Sequence, residues 1–252
     1  MKQFIGPDEQ GPSAGVITDH FVFTAASAID PATRRRAAEA ETIRDEVRII
    51  LDRLRAVLAE ADLGLEDLTK ITVWLSEEQY RFEFIPAYVE FMPGAPYPSR
   101  GLFTIGLVGD ARLQIDAIAA RPSARGAHPQ MVHLPAAQAG ADAYSAGIDF
   151  GDLVYADATA LDPVALARVP GAESIAGETG VALDRLAQTL GAAGLGLGDV
   201  VKVNCYLADG AYRDEFRAAF DARFPGVKPV RLTQVCDLAG DARVLVDVIA
   251  AH

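Results

Sequence analysis

Leu63-Gly64-Leu65-Glu66-Asp67-Leu68-Thr69-Lys70-Ile71-Thr72-Val73 is the stretch that decides the fold, because the chain writes it twice: Leu195-Gly196-Leu197-Gly198-Asp199 and Lys202 repeat it at an offset of 132. A glycine-closed helix end running into a β-branched segment marks a helix-to-strand passage. Working outward, Ser13-Ala14-Gly15-Val16 recurs as Ser145-Ala146-Gly147-Ile148, Asp30-Pro31 as Asp162-Pro163, and Pro93-Gly94 as Pro225-Gly226. One residue is then lost, and Arg100 matches Arg231 and Asp116 matches Asp247 at an offset of 131. So long a period signals two duplicated domains, since solenoid repeats run to about 20–50 residues. Arg121-Pro122-Ser123-Ala124-Arg125-Gly126-Ala127-His128-Pro129 has no periodicity and two prolines, which marks a linker. The expected domains are 1–121 and 130–252.

Within the first copy, Phe21-Val22-Phe23 is strand-like, and Ile43, Val47, Ile50, Leu51, Leu54 and Leu58 then recur at helical spacing. The second copy answers with Ile175, Leu183, Leu186 and Leu190. Residues 69–75 read as a strand, and Phe84, Tyr88 and Phe91 as a shorter helix, matched by 200–207 and by Phe216, Phe220 and Phe224. Leu102 to Ile105 and Leu113 to Ile118 read as two strands joined by the turn Val108-Gly109-Asp110. Each domain is therefore expected to be α+β, with helices covering one face of a mixed sheet.

Composition bounds the function. The chain has 252 residues, half of them hydrophobic and 23% charged, which suits a packed globular protein. Its net charge of −12 works against nucleic acid and anionic membranes as partners. There is no 18-residue apolar run, and Met1-Lys2-Gln3 leads into Gly6-Pro7 rather than a signal core, so a soluble cytoplasmic protein is expected. Two cysteines, Cys205 and Cys236, suit a reducing compartment. Among apolar strand neighbours and without an adjacent histidine, neither reads as a nucleophile.

Four features resemble the Rid family of reactive-intermediate deaminases, also called RidA/YjgF or L-PSP endoribonuclease-like proteins: the helix ending in Ala61-Asp62-Leu63-Gly64-Leu65; the strand Asp67-Leu68-Thr69-Lys70-Ile71-Thr72-Val73; Pro96-Tyr97-Pro98-Ser99-Arg100; and Leu113-Gln114-Ile115-Asp116-Ala117-Ile118-Ala119. The resemblance covers both halves. It implies two tandem chorismate-mutase-like domains, each a mixed sheet with two helices on one face. It also implies association in threes with ligand clefts between neighbours, and hydrolysis of imines and enamines such as 2-aminoacrylate to a keto acid and ammonia, without a cofactor. The older ribonuclease name finds no support in an acidic chain.

On the same resemblance Arg100 and Arg231 stand at the family arginine, whose planar guanidinium holds a substrate carboxylate through two parallel donors. Read alone, an arginine after a proline turn serves equally to pair with a nearby surface carboxylate. Where the family carries an acid on the last strand, this chain has Gln114 and Leu245; Asp116 and Asp247 follow two residues on, on the same sheet face. Gln114 can orient water but cannot exchange a proton, and Leu245 can do neither. The family serine position holds Ala25 in one copy and Asp157 in the other, which makes Asp157 the candidate acid/base. A structural aspartate is the alternative. Tyr144 matches a family pocket tyrosine, with Pro12 as its counterpart; Arg217 stands where the first copy has Ile85. Thr233 and Leu102 follow the arginines by two residues, where the family uses backbone groups.

The expectation is an enzyme acting on a small carboxylate-bearing imine, enamine or carbonyl compound, with one equipped and one degenerate cleft. A ligand-binding protein that kept the arginine and lost the chemistry is the alternative. Two domains per chain closing in threes give a homotrimer as the expected homo-oligomer. No helical histidine pair suggests a metal site, and no Gly-rich loop follows a strand as a phosphate cradle would. Arg34-Arg35-Arg36, followed by Glu39 and Glu41, reads as a solvated helix start.

Overall fold

The computed structural model describes residues 2–6, 13–124, 132–134, 145–226 and 228–252. It divides into two units, 1–131 and 132–252. The first contains β1 (Gln3–Ile5), β2 (Gly15–Ile17), β3 (Phe21–Ser27), α1 (Ile43–Ala59), β4 (Leu68–Leu75), α2 (Arg81–Phe91), β5 (Ser99–Thr104) and β6 (Leu113–Ala120). The second repeats the series as β7 (Val132–Leu134), β8 (Gly147–Phe150), β9 (Leu153–Thr159), α3 (Ile175–Ala192), β10 (Val200–Leu207), α4 (Arg213–Arg223), β11 (Val230–Val235) and β12 (Val244–Ala251).

The sheets have one topology, β1-β2-β3-β6-β4-β5 and β7-β8-β9-β12-β10-β11. Only β4–β5 and β10–β11 run parallel, so both sheets are mixed and both units are α+β. Residues 99–104 and 113–120 do not form a hairpin: β4 lies between them, pairing with β5 on one side and β6 on the other. The turn at 108–110 thus belongs to a connection that crosses a strand, which local sequence signals do not reveal.

Thr42 caps α1 by accepting from the Asp45 amide while Asp45 reaches back to the Thr42 amide, and Ser174 accepts from the Gly177 amide at the start of α3. The apolar stripe of α1 (Val47, Ile50, Leu51, Leu54, Leu58) is fully buried against the odd-numbered face of β4 (Ile71, Val73, Leu75) and against Ile115 and Ala117 of β6. Leu183, Leu186 and Leu190 do the same against Val203, Cys205 and Leu207 in the second unit. The repeated glycine of the Ser-Ala-Gly motif lets helix and sheet meet. A Cβ on Gly15 would overlap Val57, and one on Gly147 would stand 2.8 Å from the Tyr155 carbonyl oxygen and 2.9 Å from the Thr189 methyl.

The Arg34–Arg36 segment is a turn, not a helix start, and the helix begins only at Ile43. Arg34 has φ +56°, as its counterpart Leu166 has +52°, and the Arg36 amide donates to Asp110 as the Arg168 amide donates to Asp241. Long-range bonds from backbone amides to aspartate side chains override the local charge pattern.

In each unit one glutamate on the first helix is fully buried: Glu46 and Glu178. Arg112 grips Glu46 and donates to the Ala40 and Glu41 carbonyls. Arg243 bonds Glu178 at 2.8 Å and donates to the Ala172 and Glu173 carbonyls, while Glu178 also accepts the Arg243 and Val244 amides at 2.6 and 3.0 Å. Removing one member leaves a buried charge and orphaned amides, so Glu178→Ala is expected to lower the unfolding free energy by about 3–5 kcal/mol. Urea titration read by circular dichroism checks this, and a change under about 1 kcal/mol would count against the clamp.

Candidate functional site

Register decides which side chains can meet, because residues directly opposite each other in a ladder project to the same face. Arg100 pairs with Ile71 and Arg231 with Val203, both core residues, so the two arginines lie on the helix-covered faces. The Arg100 guanidinium carbon lies 5.4 Å from the Tyr88 ring centre and 5.9 Å from that of Phe84, both on α2. Those rings stack at 5.4 Å, and Tyr97 lies 5.8 Å from Tyr88. The Tyr88 hydroxyl is buried and has no hydrogen-bond partner among the described residues. Burial pushes its ionisation well above the ordinary phenol range, so it stays a donor. The sequence reading missed Tyr88 as a site residue; its signal was an aromatic pair one helical turn apart, which core packing also produces.

Arg231 sits 4.8 Å from the Phe220 ring and 5.9 Å from Phe216, the positions of Tyr88 and Phe84 in the second copy. Its Nη1 also bonds Asp221 Oδ1 at 3.2 Å. Asp221 is held below the usual carboxylate range first by Lys228, whose Nζ lies 2.9 Å from Oδ2, and then by Arg231. Arg217 is exposed on α4, its Nε 3.8 Å from the same Oδ2. The surface-carboxylate alternative for a post-proline arginine thus describes Arg231. Where the second copy has Asp221, the first has Val89, and where it has Arg217, Ile85.

Thr233 faces Cys205 across β10–β11 and hydrogen bonds with it. Burial pushes the Cys205 thiol up to about 12, which keeps it protonated at neutral pH. Cys236 falls one residue beyond β11 rather than in a strand, and it is buried.

Gln114 pairs with Trp74 and Ser27, and Asp116 with Thr72 and Ala25, on the face away from the helices. There Trp74 Nε1 donates to Asp116 Oδ2 at 2.9 Å, and Trp74 packs 5.2 Å from Phe103. Asp157 stands directly opposite Asp247, which in turn faces Asn204, also on the face away from the helices. Asp247 is 4% exposed and therefore no surface group. Burial, then the Asp247 charge, pushes Tyr155 up to about 12. Within a repeat, then, neither Gln114 nor Asp157 shares a face with the arginine. Tyr144 lies outside the described residues. Among the described residues no group of three His, Cys, Asp or Glu could hold a metal ion, and no helix is long and apolar enough to cross a membrane.

The endoribonuclease L-PSP family model matches residues 135–252. A RutC family protein of Pyrococcus horikoshii is 32% identical over 117 residues, spanning 46% of this chain and 87% of that protein. An Escherichia coli K12 protein named "putative reactive intermediate deaminase TdcF" is 30% identical over 121 residues, 46% of this chain and 88% of its own. The crystal structure of a chorismatase matches 94% of this chain and 76% of its own, with a TM-score of 0.66 at 16% identity, a likeness of fold alone.

Like charges set directly opposite in a ladder destabilise it by about 0.2–1 kcal/mol. Asp157→Asn is therefore expected to raise the melting temperature slightly. If Asp157 also transfers protons, the same variant loses turnover as it gains stability, a trade-off a structural aspartate would not show. Thermal melts and initial rates on one preparation check both.

Proposed function

The chain belongs to the Rid family, the RidA/YjgF and L-PSP-type proteins, as two tandem copies of that domain, and on that premise we propose that it hydrolyses small carboxylate-bearing imines or enamines to a keto acid and ammonia. The observation that carries the reading is a guanidinium at the same register of the fifth strand in both repeats, lying over the aromatic pair of the second helix. A planar fork fixes a carboxylate by two parallel donors. In the first repeat the Tyr88 hydroxyl supplies a further donor beside it.

Hydrolysis of an imine adds the oxygen of water to the carbon of the C=N bond and a proton to the nitrogen. The carbinolamine then collapses, a C=O bond forms, and the nitrogen leaves as ammonia with the second water proton. An enamine first takes a proton at carbon to become the imine. We assign proton transfer to Asp157 and orientation of water to Gln114, the roles their chemistry allows. Thr233, Arg217 and Tyr144 are assigned to the substrate-binding surroundings of the second repeat.

One observation favours a second reading, a protein that binds small carboxylates without turning them over: Gln114 and Asp157 lie on the sheet face opposite their own repeat's arginine. The two readings separate in one experiment. Imino acids are generated in situ from amino acids by an oxidase, and ammonia and keto acid release is compared for wild type, Arg100→Ala, Arg231→Ala and Tyr88→Phe. A charge-assisted hydrogen bond is worth about 1.5–3 kcal/mol, so Arg100→Ala is expected to lower kcat/KM by about ten- to a hundredfold, and Tyr88→Phe to raise KM. Saturable pyruvate binding with no turnover of any imino acid would replace this reading with the second.

The same proposal includes a cytoplasmic, homotrimeric protein. It is supported by both cysteines being free and by the edge strand β11, which exposes Val230, Leu232 and Val235 at 73%, 54% and 59%. A bare apolar edge invites another chain. Sedimentation equilibrium is expected to give three chains per particle and Leu232→Lys a smaller one; a wild-type monomer at micromolar concentration would refute the assembly.

A further inference from the structure

Three cations of the second repeat converge on one carboxylate. Asp221 of α4 receives Arg231 Nη1 on Oδ1 at 3.2 Å, and its Oδ2 meets Lys228 Nζ at 2.9 Å and Arg217 Nε at 3.8 Å. Among the described residues Lys228 and Arg217 have no other ion-pair or hydrogen-bond partner. Asp221 is ionised at neutral pH, because Lys228 and then Arg231 hold it below the usual carboxylate range. The group therefore carries a net charge of +2 in a chain whose total is −12. The fold does not require this cluster. Val89 and Ile85 match Asp221 and Arg217, and the offset of 131 that relates Arg231 to Arg100 sets Tyr97 against Lys228.

We infer that the second repeat takes small dicarboxylates. This rests on the proposed carboxylate-binding role of Arg231, and it names the substrates of that repeat as imines or enamines of amino acids with an acidic side chain. Charge selects the class: a monocarboxylate leaves one cation of the cluster uncompensated, and a dicarboxylate neutralises it. Arrangement selects it again. The cations stand on two sides of Asp221, the planar fork of Arg231 at one oxygen and Lys228 with Arg217 at the other. A molecule with a carboxylate at each end meets both groups, the first on the fork and the second on the point charge of Lys228. A compact dianion such as phosphate meets Asp221 in its way. Cations this close repel one another, and the carboxylate between them holds them within reach of one ligand. Arg217, Lys228 and Arg231 keep 68%, 48% and 22% of their side-chain surface in solvent, so the cluster is accessible. Donors remain to be used, since Arg231 spends one of its five N–H groups on Asp221 and Lys228 one of its three.

The test is calorimetric titration of the full chain carrying Arg100→Ala, in which the second repeat alone keeps the family arginine. The probes are succinate and butyrate, four-carbon acids that differ in the second carboxylate, and inorganic phosphate. Succinate is expected to bind about tenfold tighter than butyrate or phosphate, and Arg231→Ala to remove the binding of both acids. Lys228→Met and Arg217→Met are each expected to lower the succinate-to-butyrate affinity ratio by about three- to fivefold, the worth of one partly exposed ion pair. Raising sodium chloride from about 10 to about 500 mM is expected to bring the ratio toward one, because the selecting charges face solvent. Butyrate bound with succinate no tighter, or a preference that survives the Lys228→Met/Arg217→Met double variant, overturns this inference and leaves the carboxylate-binding reading standing. Phosphate bound as tightly as succinate overturns the dicarboxylate assignment in favour of a cluster that reads charge alone. Binding of the acids by wild type and of neither by Arg100→Ala overturns the assignment to the second repeat. Binding of neither acid by either chain overturns the carboxylate-binding reading itself. Melting curves establish that each variant is folded.

Discussion

A buried glutamate on the first helix of each repeat, held by the arginine that precedes the last strand, is the contact on which the architecture turns. Glu178 accepts from Arg243 and from two backbone amides at the start of β12, while the same arginine caps carbonyls ahead of α3. Burying a carboxylate is costly unless every lone pair is matched. Once matched, the contact fixes the height and rotation of the helix over the sheet. Glu46 and Arg112 repeat the ion pair but not the full set of bonds: Glu46 Oε2 is buried without a hydrogen-bond partner among the described residues. With the first helix fixed, the second packs against it, and the ring pair of the second helix comes to lie over the edge-strand arginine.

That frame is duplicated faithfully, and what it presents is not. The helix-facing register of the arginine, the aromatic pair above it and the clamp beneath are common to both repeats. Within the pair Tyr88 stands against Phe220, and beside it Val89 stands against Asp221 and Ile85 against Arg217. The opposite sheet faces diverge as well, with Trp74 donating to Asp116 in one and Asp157 facing Asp247 in the other.

Much of this was legible in the chain. The repeated Leu-Gly-Leu turn and its strand gave the duplication, and the helical spacing of Ile43 to Leu58 gave the long helix and its buried stripe. Pairing between distant strands was not legible. The insertion of β4 between β5 and β6 depends on long-range hydrogen bonds, and with it goes the face on which each side chain lies. Gln114 and Arg100 each stand at a family site position, and the register puts them on opposite faces of the first sheet. Asp221 was overlooked because a helical acid ten residues before an arginine carries no signal until the turn between them is folded. The Arg34–Arg36 run misled in the same way: the backbone bridge to Ile29 and the bond from the Arg36 amide to the Asp110 carboxylate outweigh its charge.

Holding two complete sheet-and-helix units on one polypeptide has a consequence for how such a protein can change over generations. In an assembly of identical single units, symmetry copies every substitution into all copies at once. Here the two halves are inherited as one gene product but altered separately. The second helix of one repeat carries Asp221 while its sister keeps Val89, a difference that symmetry would forbid between identical subunits.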